Sequence, residues 1–258
     1  MSIARPKLTQ NIFEARYERG YRYLDRCGDA MVILEEALPE ISNGRVWMPE
    51  QMVPVGARIK CPELDIIVAF DTYRLCVDQN PVDTECDFVG ISEYTHNTIV
   101  SKFEIKTINR LGHRQIYAIG TDSIEEAESL TLKKIPINNW PVKDLDGLTN
   151  KARNVKLEFA NDDNTKGFRF AVKPFFKREA PVAIDERLNM PPHLLKEKQR
   201  EVLLDQLRRH KRRETDPDAG ILADIDYWWL NPQKVDVGAF VTDAQGIISK
   251  ILEKFVGI

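Results

Sequence analysis

The feature that most constrains this chain is its final segment. There Ile247, Ile248, Ile251, Leu252, Phe255 and Val256 recur as apolar doublets every four residues. That spacing places all six on one stripe of a helix, and Thr242 with Gln245 three residues later reads as a capping box that opens it. A stripe this wide is stable only when another layer covers it. The remaining sequence must therefore supply that layer.

Near the other end, Leu24, Cys27, Met31, Leu34 and Leu38 step by three and four, predicting a helix that Pro39 stops. Beyond it, ARIKCPELDIIVAFDTYRLCVDQ reads as short strands, broken at Pro62-Glu63 and turned at Asp71-Thr72 into a run from Tyr73 to Val77. Asn80-Pro81 offers a cap followed by the first helical position, where proline is welcome, and Asp83 falls in the first turn. A second helix is expected there, carrying Val82, Cys86, Val89, Val100 and Phe103. The stretch from Phe103 to Gly120 is expected as a strand, with Phe103, Ile105 and Thr107 on one face and Glu104, Lys106 and Ile108 on the other. Ser123 and Glu126 form a capping box for a helix through Ile135.

The same order follows again. NVKLEFANDDNTKGFRFAVKPFF is a hairpin with a polar turn, PPHLLKEKQREVLLDQLRRHKRRE a helix opened by two prolines, and GILADIDYWWL a strand that leads to the final helix. Meander, long helix, strand and capped helix thus occur twice. We expect an α+β fold with antiparallel sheet covered by helices, built from two pseudo-repeats spanning 1–140 and 141–258, joined near NNWPVKDLDGL and merged into one structural unit.

With 258 residues, 43% hydrophobic and 30% charged, the chain has the balance of a soluble globular protein. A net charge of −3 gives no global attraction to nucleic acid or anionic membrane, so any such contact must rest on a local patch. Cys27, Cys61, Cys76 and Cys86 are too widely spaced for a zinc pair and sit among apolar neighbours, as reduced thiols do. The N-terminus lacks the apolar run of a signal peptide, and no window approaches the roughly 18 apolar residues of a membrane span. A cytoplasmic location without membrane contact is expected.

Candidate chemistry is sparse. Glu104-Ile-Lys106 resembles the metal strand of restriction-type nucleases, which needs a carboxylate and a lysine two apart plus an aspartate from the preceding strand. The upstream aspartates Asp65, Asp71 and Asp78 are separated from Glu104 by the expected second helix. Asp224 and Asp226, two apart on a strand, are the other carboxylates able to share a hard cation, and Glu104, Lys106, Asp224 and Asp226 together make the alternative reading of a metal-dependent enzyme on phosphodiesters or nucleoside phosphates. A curved sheet lined by RQIY, KLEF and GFRFAVK could hold phosphate, with FEARYERG approximating the entrance strand of triphosphate-tunnel enzymes. No histidine has ligand spacing, no glycine-rich phosphate loop precedes a helix and no serine sits in a nucleophile elbow. The residues favour binding over catalysis, with no cofactor and no dedicated metal site.

The densest charge is RRHKRR, at the end of a helix whose carbonyl dipole accounts for only one or two cations. Like charges four apart repel, so Arg208, Arg209, Lys211, Arg212 and Arg213 are the expected contact surface for nucleic acid or an acidic protein. Trp228 and Trp229 alternate across a strand, so one of them faces away from the surface that buries Tyr227 and is a candidate anchor.

INRLGHRQIYAIG with DSIEEA, and ADIDYWW leading into ILEKF, resemble the matching segments of a sporadically distributed, mostly uncharacterised prokaryotic family of about this length. The resemblance implies an α+β fold and assigns no chemistry. Its sporadic distribution implies a mobile system such as bacteriophage defence or a toxin partner. The expectation is therefore a non-catalytic adaptor subunit of a larger cytoplasmic assembly, with a protein partner or a second copy of itself.

Overall fold

The structure, a computed structural model, describes residues 5–134, 154–176, 188, 196–211 and 217–256. Its elements follow as β1 (Lys7–Tyr17), α1 (Tyr23–Ile41), β2 (Met48–Val53), β3 (Gly56–Cys61), β4 (Ile66–Phe70), β5 (Arg74–Gln79), α2 (Phe88–Lys102), β6 (Ile108–Thr121), α3 (Ile124–Lys134), β7 (Val155–Ala160), β8 (Lys166–Phe176), α4 (Glu197–Lys211), β9 (Ala219–Leu230) and α5 (Val237–Val256). The nine strands form one sheet in the order β2-β3-β4-β5-β1-β6-β9-β8-β7. Every pairing is antiparallel. The fold is α+β.

Strand alternation divides the sheet into two unlike faces. Ile59, Val68, Val77, Phe13, His113 and Tyr227 lie in register across one face and are buried. Over it α1, α2 and α5 pack side by side, with α3 against β8 and β9. Phe13 is central: its ring meets His96 of α2 at 6.3 Å and Phe240 of α5 at 6.5 Å. Burying a large apolar side chain of this kind contributes about 1.5–3 kcal/mol, so these helix stripes supply much of the driving force for the two-layer arrangement. α5 buries the expected Ile248, Phe255 and Val256, and adds Phe240, Val241 and Ala244.

Several boundaries differ from those the sequence suggests. α5 begins five residues before Thr242, where Asp236 accepts from the Ala239 amide at 2.8 Å. α1 runs past Pro39 to Ile41, and its buried stripe uses Tyr23 instead of Leu24, which is 66% exposed. A proline removes its own amide's bond to the carbonyl four residues back but leaves the amides after it able to continue, so α1 runs on through Glu40 and Ile41. α2 starts at Phe88, capped by Asp87, and not at Asn80-Pro81. It buries Ser92, Thr95 and His96 beside Phe88, Ile91 and Ile99. Among the described residues, Ser92 Oγ, His96 Nε2 and both ring nitrogens of His113 have no hydrogen-bond partner. The α3 box forms as expected: Ser123 Oγ accepts from the Glu126 amide at 3.1 Å, while the Glu126 carboxylate takes the Asp122 amide.

β1 has no place in the expected order, yet it lies mid-sheet between β5 and β6. Six of the nine strands precede α3, so the strand content does not confirm a repeat of the first stretch by the second. α4 lies between β8 and β9 in sequence but anchors at the opposite end of the sheet. Its Leu203 packs with Met48 of β2, and its Gln206 Nε2 donates to Asp65 at 2.6 Å. The two prolines expected to open α4 lie outside the described residues. No helix among the described residues is long and apolar enough to cross a membrane. All four cysteines are free.

Candidate functional site

The face of the sheet opposite the helices carries charge. One row in register runs Lys60, Ile67, Asp78, Ile12, Arg114, Asp226, Arg169 and Glu158, from β3 to β7. Acidic and basic side chains alternate along its second half, the arrangement in which directly opposed pairs attract. Arg114 grips Asp224 with two donors, Nε at 2.7 Å and Nη2 at 2.6 Å. Arg110 bridges strands, giving Nη1 to Glu14 at 2.8 Å and Nη2 to both oxygens of Asp226 at 2.9 Å. Arg169 adds a contact to Asp226 at 3.3 Å, and Arg16 Nε reaches Glu14 at 2.7 Å.

Two glycines shape this surface. Gly112 and Gly167 flank Trp228 in register on β6 and β8. A Cβ on Gly112 would run into the Arg110 guanidinium, and one on Gly167 into the Phe159 carbonyl and the Trp228 indole. The missing side chains are what let Arg110 lie across β6 toward both acids, and let the Trp228 indole pack closely against Gly167 of β8. The result is a depression of about 630 Å³ lined by Glu14, Arg16, Cys76, Arg110, Arg114, Glu158, Asn164, Arg169, Asp226 and Trp228. A second, of about 380 Å³, adjoins it through Cys76 and adds Arg58, Arg74 and Asp78.

Burial and charge oppose each other at the acids. Burial pushes the Asp226 carboxyl above its ordinary range, against the pull of Arg110 and Arg169. Burial likewise raises Asp78, opposed by the Gln10 amide and by Arg114. The Cys76 thiol is pushed up to about 12 by burial and by the Asp78 and Glu14 carboxylates, so it is a poor nucleophile at neutral pH. The Arg114 guanidinium is raised by its hydrogen bonds to Asp224.

The expected metal set does not converge. Glu104, Ile105 and Lys106 are not on a strand: they lie in the connection between α2 and β6, which starts at Ile108. Glu104 has φ +53° and faces Arg22 at 3.4 Å. Asp226 pairs in register with Arg114, six residues into β6 from Ile108, roughly 20 Å along the strand at 3.4 Å per residue. Asp224 and Asp226 are each held by arginine instead of facing a shared ion. Among the described residues, no group of three or more histidine, cysteine or acidic side chains is arranged to hold a metal.

The side chains grouped as a phosphate-lined curved sheet are brought together: Arg114, Glu158 and Arg169 share the depression with Glu14 and Arg16 of FEARYERG. The sheet order ends at β2 and β7, so among the described residues this is an open face and not a closed tunnel. Trp228 lies on this face. Trp229 lies on the helix side, its Nε1 donating to Tyr227 Oη at 2.9 Å and its ring 5.2 Å from Phe240. Of the basic run, Arg208 is exposed and pairs with Asp205 at 2.9 Å. The backbones of Arg209 and Lys211 continue α4, while their side chains, and Arg212 and Arg213 altogether, lie outside the described residues. The residue that periodicity missed is Arg110, whose two partners lie 96 and 116 positions away. Only the strand register could have revealed it.

Comparison with protein-family models and with curated proteins gave no match.

Proposed function

We propose that this protein is a non-catalytic binding subunit that holds a nucleic-acid strand against the open face of its sheet. The observation that supports this reading is a track of arginines: Arg58, Arg74, Arg16, Arg110, Arg114 and Arg169 follow one another from β3 to β8 along the two adjoining depressions. Seven neighbouring strands at about 4.8 Å spacing give that track a span of roughly 30 Å. Guanidinium is the group best suited to phosphate oxygens, and phosphate and sugar together take the larger share of protein–DNA hydrogen bonds. The interleaved acids hold several of the arginines in place, so less side-chain freedom is lost on binding. Arg16 and Arg74, at 57% and 61% exposed, keep donors toward solvent.

The basic run from Arg208 to Arg213, which starts within α4, is a second contact in this reading, while Trp228, only 9% exposed, lines the depression. The wider role is that of an adaptor in a cytoplasmic assembly of a bacterial defence or toxin-associated system, with a protein partner. That role follows from the family resemblance by analogy. An internal duplication belongs to the same reading, supported by the adjacency of β6 and β9, each followed by a capped helix.

Anisotropy of a labelled single-stranded oligonucleotide at about 50 and 200 mM salt tests the proposal, since releasing several counterions makes affinity fall steeply over that range. Retention is expected at low salt, with tenfold or greater loss in the exposed triple variant Arg16→Glu, Arg58→Glu, Arg74→Glu. Retention lost only on neutralising Arg208, Arg209, Arg212 and Arg213 would move the site to α4. Absence of retention at low salt would overturn the reading.

A further inference from the structure

The sheet has two ends, and they are built differently. β2 carries Pro49, and its register slips between Pro49 and Gln51, two devices that prevent further strand pairing. β7 has neither. Its six residues VKLEFA pair with β8 without a break, and among the described residues nothing pairs with its other side. It also leaves apolar side chains in solvent, Leu157 at 37% and Phe159 at 49% exposed.

The outward-facing groups of β7 can be identified. The Asn161 amide donates to the Lys166 carbonyl at 3.0 Å, which makes 161 and 166 a hydrogen-bonded pair. Hydrogen-bonded and non-bonded pairs alternate along an antiparallel ladder, so Phe159, Leu157 and Val155 spend their amides and carbonyls on β8. Lys156, Glu158 and Ala160 turn theirs to the free edge. Only registers joining even-numbered residues to even-numbered residues can use those groups.

We propose that β7 pairs antiparallel with β7 of a second copy of this chain, centred on Leu157, to make a two-fold dimer with a sheet continuous across both protomers. In this register Lys156 of one protomer lies opposite Glu158 of its partner, twice over. Leu157 meets Leu157, and Val155 meets Phe159. Moving the centre to Lys156 sets lysine against lysine, and moving it to Glu158 sets glutamate against glutamate, so the two charges that permit one register oppose its nearest alternatives. The contact is isologous and closes on itself, leaving as outer edges the two β2 strands, which the proline and register slip blunt. On the open face, Glu158 then lies between Arg169 of its own chain and Lys156 of its partner, extending the alternating row across the two-fold axis. The dimer stands independently of the nucleic-acid reading.

An interface built on one short strand is at the small end of specific contacts. Self-association is therefore expected at micromolar concentration, read by sedimentation of the full chain as twice its 29.7 kDa mass. Lys156→Glu and Glu158→Lys each place like charges together and are expected to weaken the dimer tenfold or more. The double swap restores opposite charges and is expected to recover affinity to within a few-fold. As an independent check, non-bonded partners lie with Cα atoms about 4.5 Å apart, within disulfide range. Leu157→Cys is therefore expected to give a covalent dimer under mild oxidation, while the unsubstituted chain and Lys156→Cys do not. A chain that stays monomeric at about 100 μM overturns the proposal. So do single swaps that dimerise like the parent, or crosslinking at position 156 equal to that at 157.

Discussion

Arg110 and Asp226 lie 116 positions apart in the sequence, yet one guanidinium nitrogen sits 2.9 Å from each carboxylate oxygen. The other terminal nitrogen of Arg110 holds Glu14. Three strands, β1, β6 and β9, are thus tied at one point on the open face.

Removing Arg110 should therefore cost more than a surface ion pair. Breaking a buried pair typically costs about 3–5 kcal/mol. Because Arg169 still faces Asp226, Arg110→Ala is expected to lose about 2–3 kcal/mol in urea unfolding. Asp226→Asn, which leaves a hydrogen-bonding side chain, should lose less. Their double variant should fall short of the sum, the coupling expected of a shared partner.

The buried histidines set an acid limit. Burial lowers His113 to about 3 and also lowers His96, in the latter case against the pull of the Asn97 hydrogen bond. Unfolded, both should titrate near the ordinary value of about 6.5. Each therefore contributes stability that is complete above that pH and is lost as pH falls from 6.5 toward the folded value, by up to about 1.4 kcal/mol per pH unit per histidine. Urea midpoints between pH 7.5 and 5 should drop accordingly. His113→Leu should flatten the slope by one proton and raise stability at neutral pH, where the imidazole has unpaired nitrogens.

Gly167 is expected to resist any side chain. In Gly167→Ala the new methyl meets a backbone carbonyl and the Trp228 ring at once. Overpacking of this kind costs about 1–3 kcal/mol. The loss should show in thermal melts together with a change in tryptophan emission.

Cys76 reports on the face. Its thiol lies where the two depressions meet and is pushed up to about 12. Maleimide should label it slowly at pH 7 relative to a free thiol and faster as pH rises. Bound oligonucleotide should slow the reaction further, measured by mass spectrometry of the Cys76 peptide.

Alternation and turn chemistry made β3, β4, β5, β7, β8 and β9 legible, because each has a clear punctuating turn and one buried face. β1 escaped because its buried side includes polar Asn11 ahead of Phe13, Ala15 and Tyr17 and its other side includes apolar Ile12, which blurs the alternation. α2 was misplaced because half its buried stripe is Ser92, Thr95 and His96, which hydrophobic periodicity reads as solvent-facing. The Glu104-Lys106 triplet looked like a strand because nothing local announces the left-handed turn at Glu104, a conformation usually given to glycine or asparagine. The charged face was half visible: its side chains could be grouped by alternation, but their pairing depends on a register set by distant strands.

The position of β1 also governs how this molecule comes off the ribosome. A nascent chain emits β1 first, but that strand's neighbours are β5 and β6, and β6 in turn waits for β9, which begins at Ala219. Until β9 has emerged, the middle of the sheet has a bare flank. Any premature stop before that point releases a product with an unsatisfied central edge, the kind of fragment that sticks to others or is cleared by proteases.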